Sequence, residues 1–296
     1  MTVSACIGLR RLVLALTLLW PVTVQAFNEA DLNRLESEKR CIDCDLTDAS
    51  LWWSNLRGTD LSGSRLTNAT LWWSDLYAAR LDRADLSRAN LWWADLSATS
   101  LRQTVFSYAG LDRALVMGAD LTGAKLDNAE MSGTNFTQAV MTGADMTRGN
   151  LLQAIFARAG LTGVNLTEAN LHQAQLPDSD LSGALLAHAA ITATNLRRAR
   201  LHGTSFHDAN LSQADLSDAD LTGADLSKAD LPNAKLVRAR LVGANLSMTS
   251  LWRADFTDAD LTDADLSGAS MPEVVLTGAR LCRTRLPDRV DSSGCP

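Results

Sequence analysis

Five cysteines, four histidines, 34 acidic residues and eight tryptophans are the side chains of this 296-residue chain whose types could do chemistry or recognition. Cys41-x-x-Cys44 has the spacing of a redox pair or of half a structural zinc site. Cys282 and Cys295 form a wider pair near the C-terminus, and Cys6 lies in the first segment. His172, His188, His202 and His207 offer imidazoles for metal ligation or general-base work, but only where they converge. No glycine-rich phosphate loop, nucleophile elbow or paired-histidine metal motif occurs in the sequence, so no catalytic residue, metal or cofactor is expected. The aromatic residues are more suggestive. Trp52-Trp53, Trp72-Trp73 and Trp92-Trp93 recur every twenty residues, and Trp252 falls on the same phase.

These side chains are positioned by a chain with a hydrophobic share of 46%, ample for an ordered core. Its 27 Lys and Arg against 34 Asp and Glu give a net charge of −7, which excludes a strongly basic nucleic-acid binder. Residues 1–26 read as a secretory signal. Arg10 and Arg11 supply the positive end, Leu12 to Trp20 the apolar run, and Val24-Gln25-Ala26 a small-x-small cleavage site. The run is shorter than the ~20 residues of a membrane-spanning helix, so no transmembrane segment is expected in the mature chain. No cysteine follows the run to carry a lipid. Removing the signal takes away two Arg and no acid, which leaves 25 − 34 = −9. The expected location is therefore periplasmic or secreted, where disulfides persist.

The dominant signal beyond the leader is repetition. From Leu46 to Leu286 every fifth residue is Leu, Met, Phe, Ile or Val, which makes (286 − 46)/5 + 1 = 49 positions in phase. Two residues before each one the side chain is small, from Ala49 to Thr284, with Gly149 smaller still and Val164 and Val274 slightly larger. A period of five fits neither an α-helix, at about 3.6, nor a flat strand, at about 2. Two inward positions in five mean that the chain turns a corner every pentad. The twenty-residue recurrence of the Trp pairs, and of Gly123, Gly143, Gly163, Gly183, Gly203, Gly223 and Gly243, indicates four corners per coil. Forty-nine pentads then give roughly twelve coils and, at ~4.8 Å per coil, a rod of about 60 Å. The Gly series predicts one face whose corners need positive φ.

The A(D/N)LxX pentads, such as Ala219-Asp220-Leu221-Thr222-Gly223, resemble those of the pentapeptide-repeat proteins without a break over residues 41–286. The resemblance implies an all-β, right-handed quadrilateral β-helix with Leu/Phe and Ala ladders inside, a handedness in line with the general bias of β connections. It also raises a DNA-mimicking, gyrase-interacting role, since some members carry an acidic surface of that kind. Here the columns Asp180, Arg200, Asp220, Arg240, Asp260, Arg280 and Asp178, Arg198, Asp218, Arg238, Asp258 alternate in sign coil by coil. A DNA mimic needs an unbroken negative row, so this role is disfavoured and nucleic acid is not an expected partner.

Residues 27–40 read as an N-terminal capping helix, with Asn28 as N-cap, Asp31 three residues on, Phe27 stapled onto Leu32, and Leu32 and Leu35 facing the first coil. Residues 287–296, opened by Pro287, form the C-terminal cap. The two mature cysteine pairs lie at opposite ends of the rod, so a four-cysteine zinc site cannot assemble within one chain. Cys282 with Cys295 is expected to pin the tail as a disulfide. Cys41 and Cys44 read either as a disulfide at the first coil or as small buried thiols. The four histidines fall in four different columns and read as isolated, solvated side chains. The Trp residues follow a core Leu and should face outwards. They stack and stiffen three coils, lie under the capping helix, or form a surface for a protein partner, for self-association, for glycan, or for a membrane interface. The expected function is a non-enzymatic exported scaffold with that surface as its contact site, a carbohydrate-binding module of the cell envelope being the alternative.

Overall fold

The computed structural model describes residues 28–295. The expected signal segment and Phe27, with its staple, lie outside the described residues. From Arg40↔Asp60 to Asp265↔Arg285, every bridge of the solenoid is parallel and joins a residue to the one twenty positions on. Four pentads therefore close one coil, and a column in the sequence is a column in space. The 240 residues from Leu46 to Arg285 make 240/20 = 12 turns of the chain.

The first corner shows how five residues build the unit. The Leu46 carbonyl accepts from Ala49 N at 3.0 Å, and Asp48 sits at φ +58°, which is the geometry of a type II turn. The Leu46 N–H then bonds the next coil at Arg65 O, and Arg65 N returns to Cys44 O, both at 2.8 Å. Asp or Asn before the large residue has a local task. Asp220 Oδ1 accepts from Thr222 N at 3.0 Å and from the Thr222 hydroxyl, and Asn135 does the same for Thr137. Each such side chain braces the corner that follows it.

One expectation is corrected here. The glycine series does not mark a special face, because the corners share positive φ whatever residue they carry: Trp53 at +56°, Arg88 at +60° and Asp218 at +63°, beside Gly183 at +66°. The same turn is repeated on all four sides, so the conformational demand is common to all four.

Inside, the Leu, Phe and Met ladder and the Ala ladder are closed to solvent along the shaft. Phe136 and Phe156 stack at 4.9 Å. Hydroxyls at the small positions are satisfied within the core, as where Thr104 donates to Leu81 O at 2.7 Å and Thr204 to Leu181 O at 2.8 Å. Gly149 is smaller than its column because a Cβ there would meet Met131 Cε at 2.8 Å.

Both ends are covered. Helix α1 (Glu29–Glu38) is capped by Asn28, whose side chain accepts from Ala30 N, and closes on Lys39 in the left-handed region. Leu35 is buried and Leu32 packs against the core. Asp31 does not complete a capping box, since its Oδ2 accepts from Asp45 N at 2.9 Å and so ties the helix to the first coil. At the other end the tail folds back as a hairpin, β1 (Thr284–Arg285) antiparallel to β2 (Val290–Asp291), and Gly294 N bonds Leu281 O at 2.9 Å. Met271, Leu276 and Leu281 there are only partly buried. No described helix is long and apolar enough to cross a membrane.

Candidate functional site

Each Trp pair occupies the two middle positions of a type II corner, so both indoles leave the shaft at one edge. Trp53, Trp73 and Trp93 adopt φ of +56°, +58° and +59°. That region disfavours a side chain by roughly 1–2 kcal/mol per residue. The twenty-residue register then brings the rings together. Trp53 and Trp73 stack at 5.4 Å, Trp73 and Trp93 at 5.1 Å, and Trp52 and Trp72 at 5.4 Å, with planes within 10° of parallel. Aromatic pairs of this kind contribute about 0.5–1.5 kcal/mol each beyond their burial, which offsets part of the backbone cost.

The ladder continues into a cation. The Arg113 guanidinium lies 5.1 Å from the Trp93 ring centroid, one coil further on. Trp92 leaves the stack and lies across Gly110, where an added Cβ would sit 2.6 Å from its Nε1. Helix α1 leaves the ladder open, since Trp53 is 57% exposed and Trp92 50%. Trp72 is half-buried. The faces of Trp73 are taken by Trp53 and Trp93, so the central rung turns its edge to solvent.

The surface is wider than the tryptophans suggested. Tyr77 and Met117 are exposed on one corner next to the Trp corner, Tyr108 on the other, and Leu115 on the side between the Trp corner and Met117. Arg57 stacks on Tyr77 at 4.2 Å and Arg88 on Tyr108 at 5.5 Å. A signal was available for this: both tyrosines of the chain fall within one coil of the Trp pairs. Residues 50–115 carry seven Arg and six Asp, 7 − 6 = +1, against −7 for the whole chain, so the remaining residues sum to −7 − 1 = −8.

Elsewhere the charge columns are neutralised. Arg198 makes a two-bonded pair with Asp178 (2.6 and 2.8 Å), Arg238 pairs likewise with Asp218, and Arg283 with Asp263. The Arg238 guanidinium beside Asp218 holds its carboxyl below the usual range, and Arg198 and Arg283 do the same for Asp178 and Asp263. In the neighbouring column, partial burial pushes Asp180 up, but the Ser182 hydroxyl and N–H lower it further, because its carboxylate is committed to its own corner. No unbroken acidic row runs through either column.

The four described cysteines are joined in two pairs, Cys41 with Cys44 and Cys282 with Cys295. Arg34 Nη2 hydrogen-bonds Cys44 Sγ at 2.6 Å, and Asp31 brings a carboxylate to the same spot. With both sulfurs bonded, no thiolate is available there to a metal. The histidine reading needs correction. His172 and His202 stand apart, but positions 188 and 207 are the two halves of one corner in successive coils, and their rings meet edge to face at 6.1 Å. Positions seven and eight of each twenty-residue period share one corner, so these two columns form a single edge of the rod.

The model of a family described as pentapeptide repeats matches the chain in eight copies, from residues 44–83 through to 249–286. HetL from the cyanobacterium Nostoc sp. strain PCC 7120, a pentapeptide-repeat protein involved in heterocyst differentiation regulation, is 31% identical over 82% of this chain and 93% of its own, with a TM-score of 0.39. QnrB1, a plasmid-mediated fluoroquinolone resistance protein, is 23% identical over 54% of this chain and 89% of its own, with a TM-score of 0.39. A pentapeptide-repeat protein of the Arabidopsis thaliana thylakoid lumen is 37% identical over 35% of this chain and 69% of its own, with a TM-score of 0.25. No curated protein matches.

Proposed function

The chain belongs to the pentapeptide-repeat proteins, and on that premise we propose that it is an exported, non-enzymatic binding scaffold whose contact surface is the corner of Trp52, Trp53, Trp72, Trp73, Trp92 and Trp93. One observation carries this reading: a stacked row of indole edges, flanked by Tyr77, Tyr108 and ring-stacked arginines, stays open to solvent, whereas Val140, Ile155, Leu185, Met248 and Trp252 are exposed without a stacked aromatic neighbour among the described residues. Trp, Tyr and Arg are the residues that dominate protein–protein hot spots. Export rests on residues 1–26 and is supported by the two bonded cysteine pairs, which persist in oxidising compartments.

A protein partner or a second copy suits this geometry better than a glycan. Sugars stack through their C–H faces on open ring faces, and the central rung Trp73 has none to offer. The test sets a photo-crosslinking residue at position 52 or 72 and, as control, at position 62 on a different corner. Protein adducts, to another chain or to itself, are expected from 52 and 72 alone and are lost in a Trp73→Ala/Trp93→Ala background. Adducts in equal yield from all three sites overturn the reading. A saturable change in Trp emission on titration with cell-wall oligosaccharides replaces it with the glycan alternative.

A further inference from the structure

We propose that the corner formed by His188 and His207 is a binding site for one divalent transition-metal ion of the imidazole-preferring kind, Cu2+ above Zn2+. The two rings lie in successive coils, with centroids 6.1 Å apart and planes at 86°. Two imidazoles on one such ion, at metal–nitrogen distances of about 2.0–2.1 Å, hold their centroids roughly 5–6 Å apart. The observed separation lies just beyond that span, so the rings close slightly on the ion, and both residues sit on a corner with solvent beside them.

The second feature is how each ring is held. His188 Nδ1 lies 3.1 Å from Asp208 Oδ2, in the coil above. A carboxylate only accepts, so Nδ1 carries the proton and the lone pair of the neutral ring is left on Nε2. His207 Nδ1 lies 2.8 Å from Ser227 Oγ, again one coil up. With Nδ1 donating to that oxygen, the second Nε2 is also a free donor to metal. A ring nitrogen engaged by a carboxylate or hydroxyl, which leaves the other for the metal, is the outer-shell arrangement that orients metal-binding histidines and raises their basicity. Glu168, one coil below His188, is committed to Arg148 through two hydrogen bonds of 2.8 and 3.3 Å. The protein therefore supplies two nitrogens and leaves the remaining positions to water. Imidazole donors select copper and zinc over calcium or magnesium, and copper lies highest in the divalent series. The site is remote in the chain from the Trp corner and independent of the reading given for it.

The test uses the untagged mature chain. Titration with CuCl2 followed by calorimetry is expected to give one saturable site per chain, with an electron paramagnetic resonance spectrum showing two nitrogen ligands. His188→Ala and His207→Ala each weaken binding by at least about tenfold and reduce the spectrum to one nitrogen, and Asp208→Asn weakens it by about tenfold while keeping both nitrogens. His172→Ala and His202→Ala, at isolated imidazoles, leave the affinity unchanged, as does replacing the buffer with one containing CaCl2. Melting curves of the variants in the absence of copper check that the coils remain formed. Equal affinity in the His188→Ala/His207→Ala and His172→Ala/His202→Ala proteins, or a one-nitrogen spectrum in the wild type, overturns the assignment.

Discussion

Trp73 and Trp93, twenty residues apart in sequence, stack with ring centroids 5.1 Å apart and planes only 4° from parallel. The relationship is a direct product of the register, since it requires that residue i and residue i + 20 leave adjacent coils at the same corner in the same direction. Trp73 takes part in two such stacks, with Trp53 as well as Trp93.

Trp73→Ala therefore removes two ring contacts while leaving the corner in its left-handed conformation. A loss of about 1–3 kcal/mol is expected, with the near-ultraviolet circular dichroism of the coupled indoles collapsing. Trp92→Ala removes a ring that rests on Gly110 and should cost less. Urea unfolding followed at a backbone wavelength measures both. Equal losses for the two variants contradict a stabilising role for the ladder.

Acid should loosen the rod through its paired columns. Asp178, Asp218 and Asp263 are held below the usual carboxylate range by hydrogen bonds from Arg198, Arg238 and Arg283. A carboxyl depressed in the folded state protonates first in the unfolded chain. Its contribution is thus complete above the unfolded value, near pH 4, and is lost as pH falls through the lower folded value. The melting temperature is expected to be flat from pH 7 to about 5 and to decline below 4. In an Arg198→Gln/Arg238→Gln/Arg283→Gln protein the decline should be shallower. An acid limb of unchanged slope removes these pairs from the explanation.

Backbone strain at the corners gives a prediction of opposite signs. Gly183 sits at φ +66° with nothing within 4 Å of an added Cβ. Gly183→Ala therefore tests conformation alone and is expected to cost about 1 kcal/mol. Ala193 occupies the equivalent turn position at φ +55°. Ala193→Gly should be neutral or stabilising by up to about 1 kcal/mol, the relief of strain outweighing the freer unfolded chain. Melting temperatures that move in the same direction in both variants would exclude a common corner geometry.

The shaft was legible in the sequence because Leu46 to Leu286 keep one period without interruption, and a period of five admits few backbone solutions. The Trp columns were legible for the same reason. What escaped depends on contacts between neighbouring columns. His188 with His207, and Arg197 with Asp218, meet because successive turn positions share one corner, and a strict twenty-residue comparison keeps them apart. The role of Asp220 escaped because its hydrogen bonds to Thr222 belong to turn geometry, whereas its sequence position suggested surface charge. Asp31 escaped because its partner, Asp45 N, lies fourteen residues on, in a coil that the helix meets only after folding.

The C-terminal cap provides the last prediction. The Cys282–Cys295 bond closes a separation of thirteen residues around the hairpin of β1 and β2, and beneath it Met271, Leu276 and Leu281 are only partly covered. A loop of this length constrains the unfolded chain by about 3 kcal/mol in the chain-entropy account. A solenoid coil contacts only its neighbours, so loss of the cap should fray the rod from one end. In Cys295→Ser the amides of the last coil, such as Arg280 and Arg285, are expected to exchange with solvent at least about tenfold faster, while those near Leu201 keep their protection. Reducing the wild type with dithiothreitol should reproduce this at the C-terminus and also accelerate exchange near Asp45, where Cys41–Cys44 sits beneath α1. Uniform acceleration along the whole shaft would mean that the rod unfolds as one cooperative unit and that the bond acts globally.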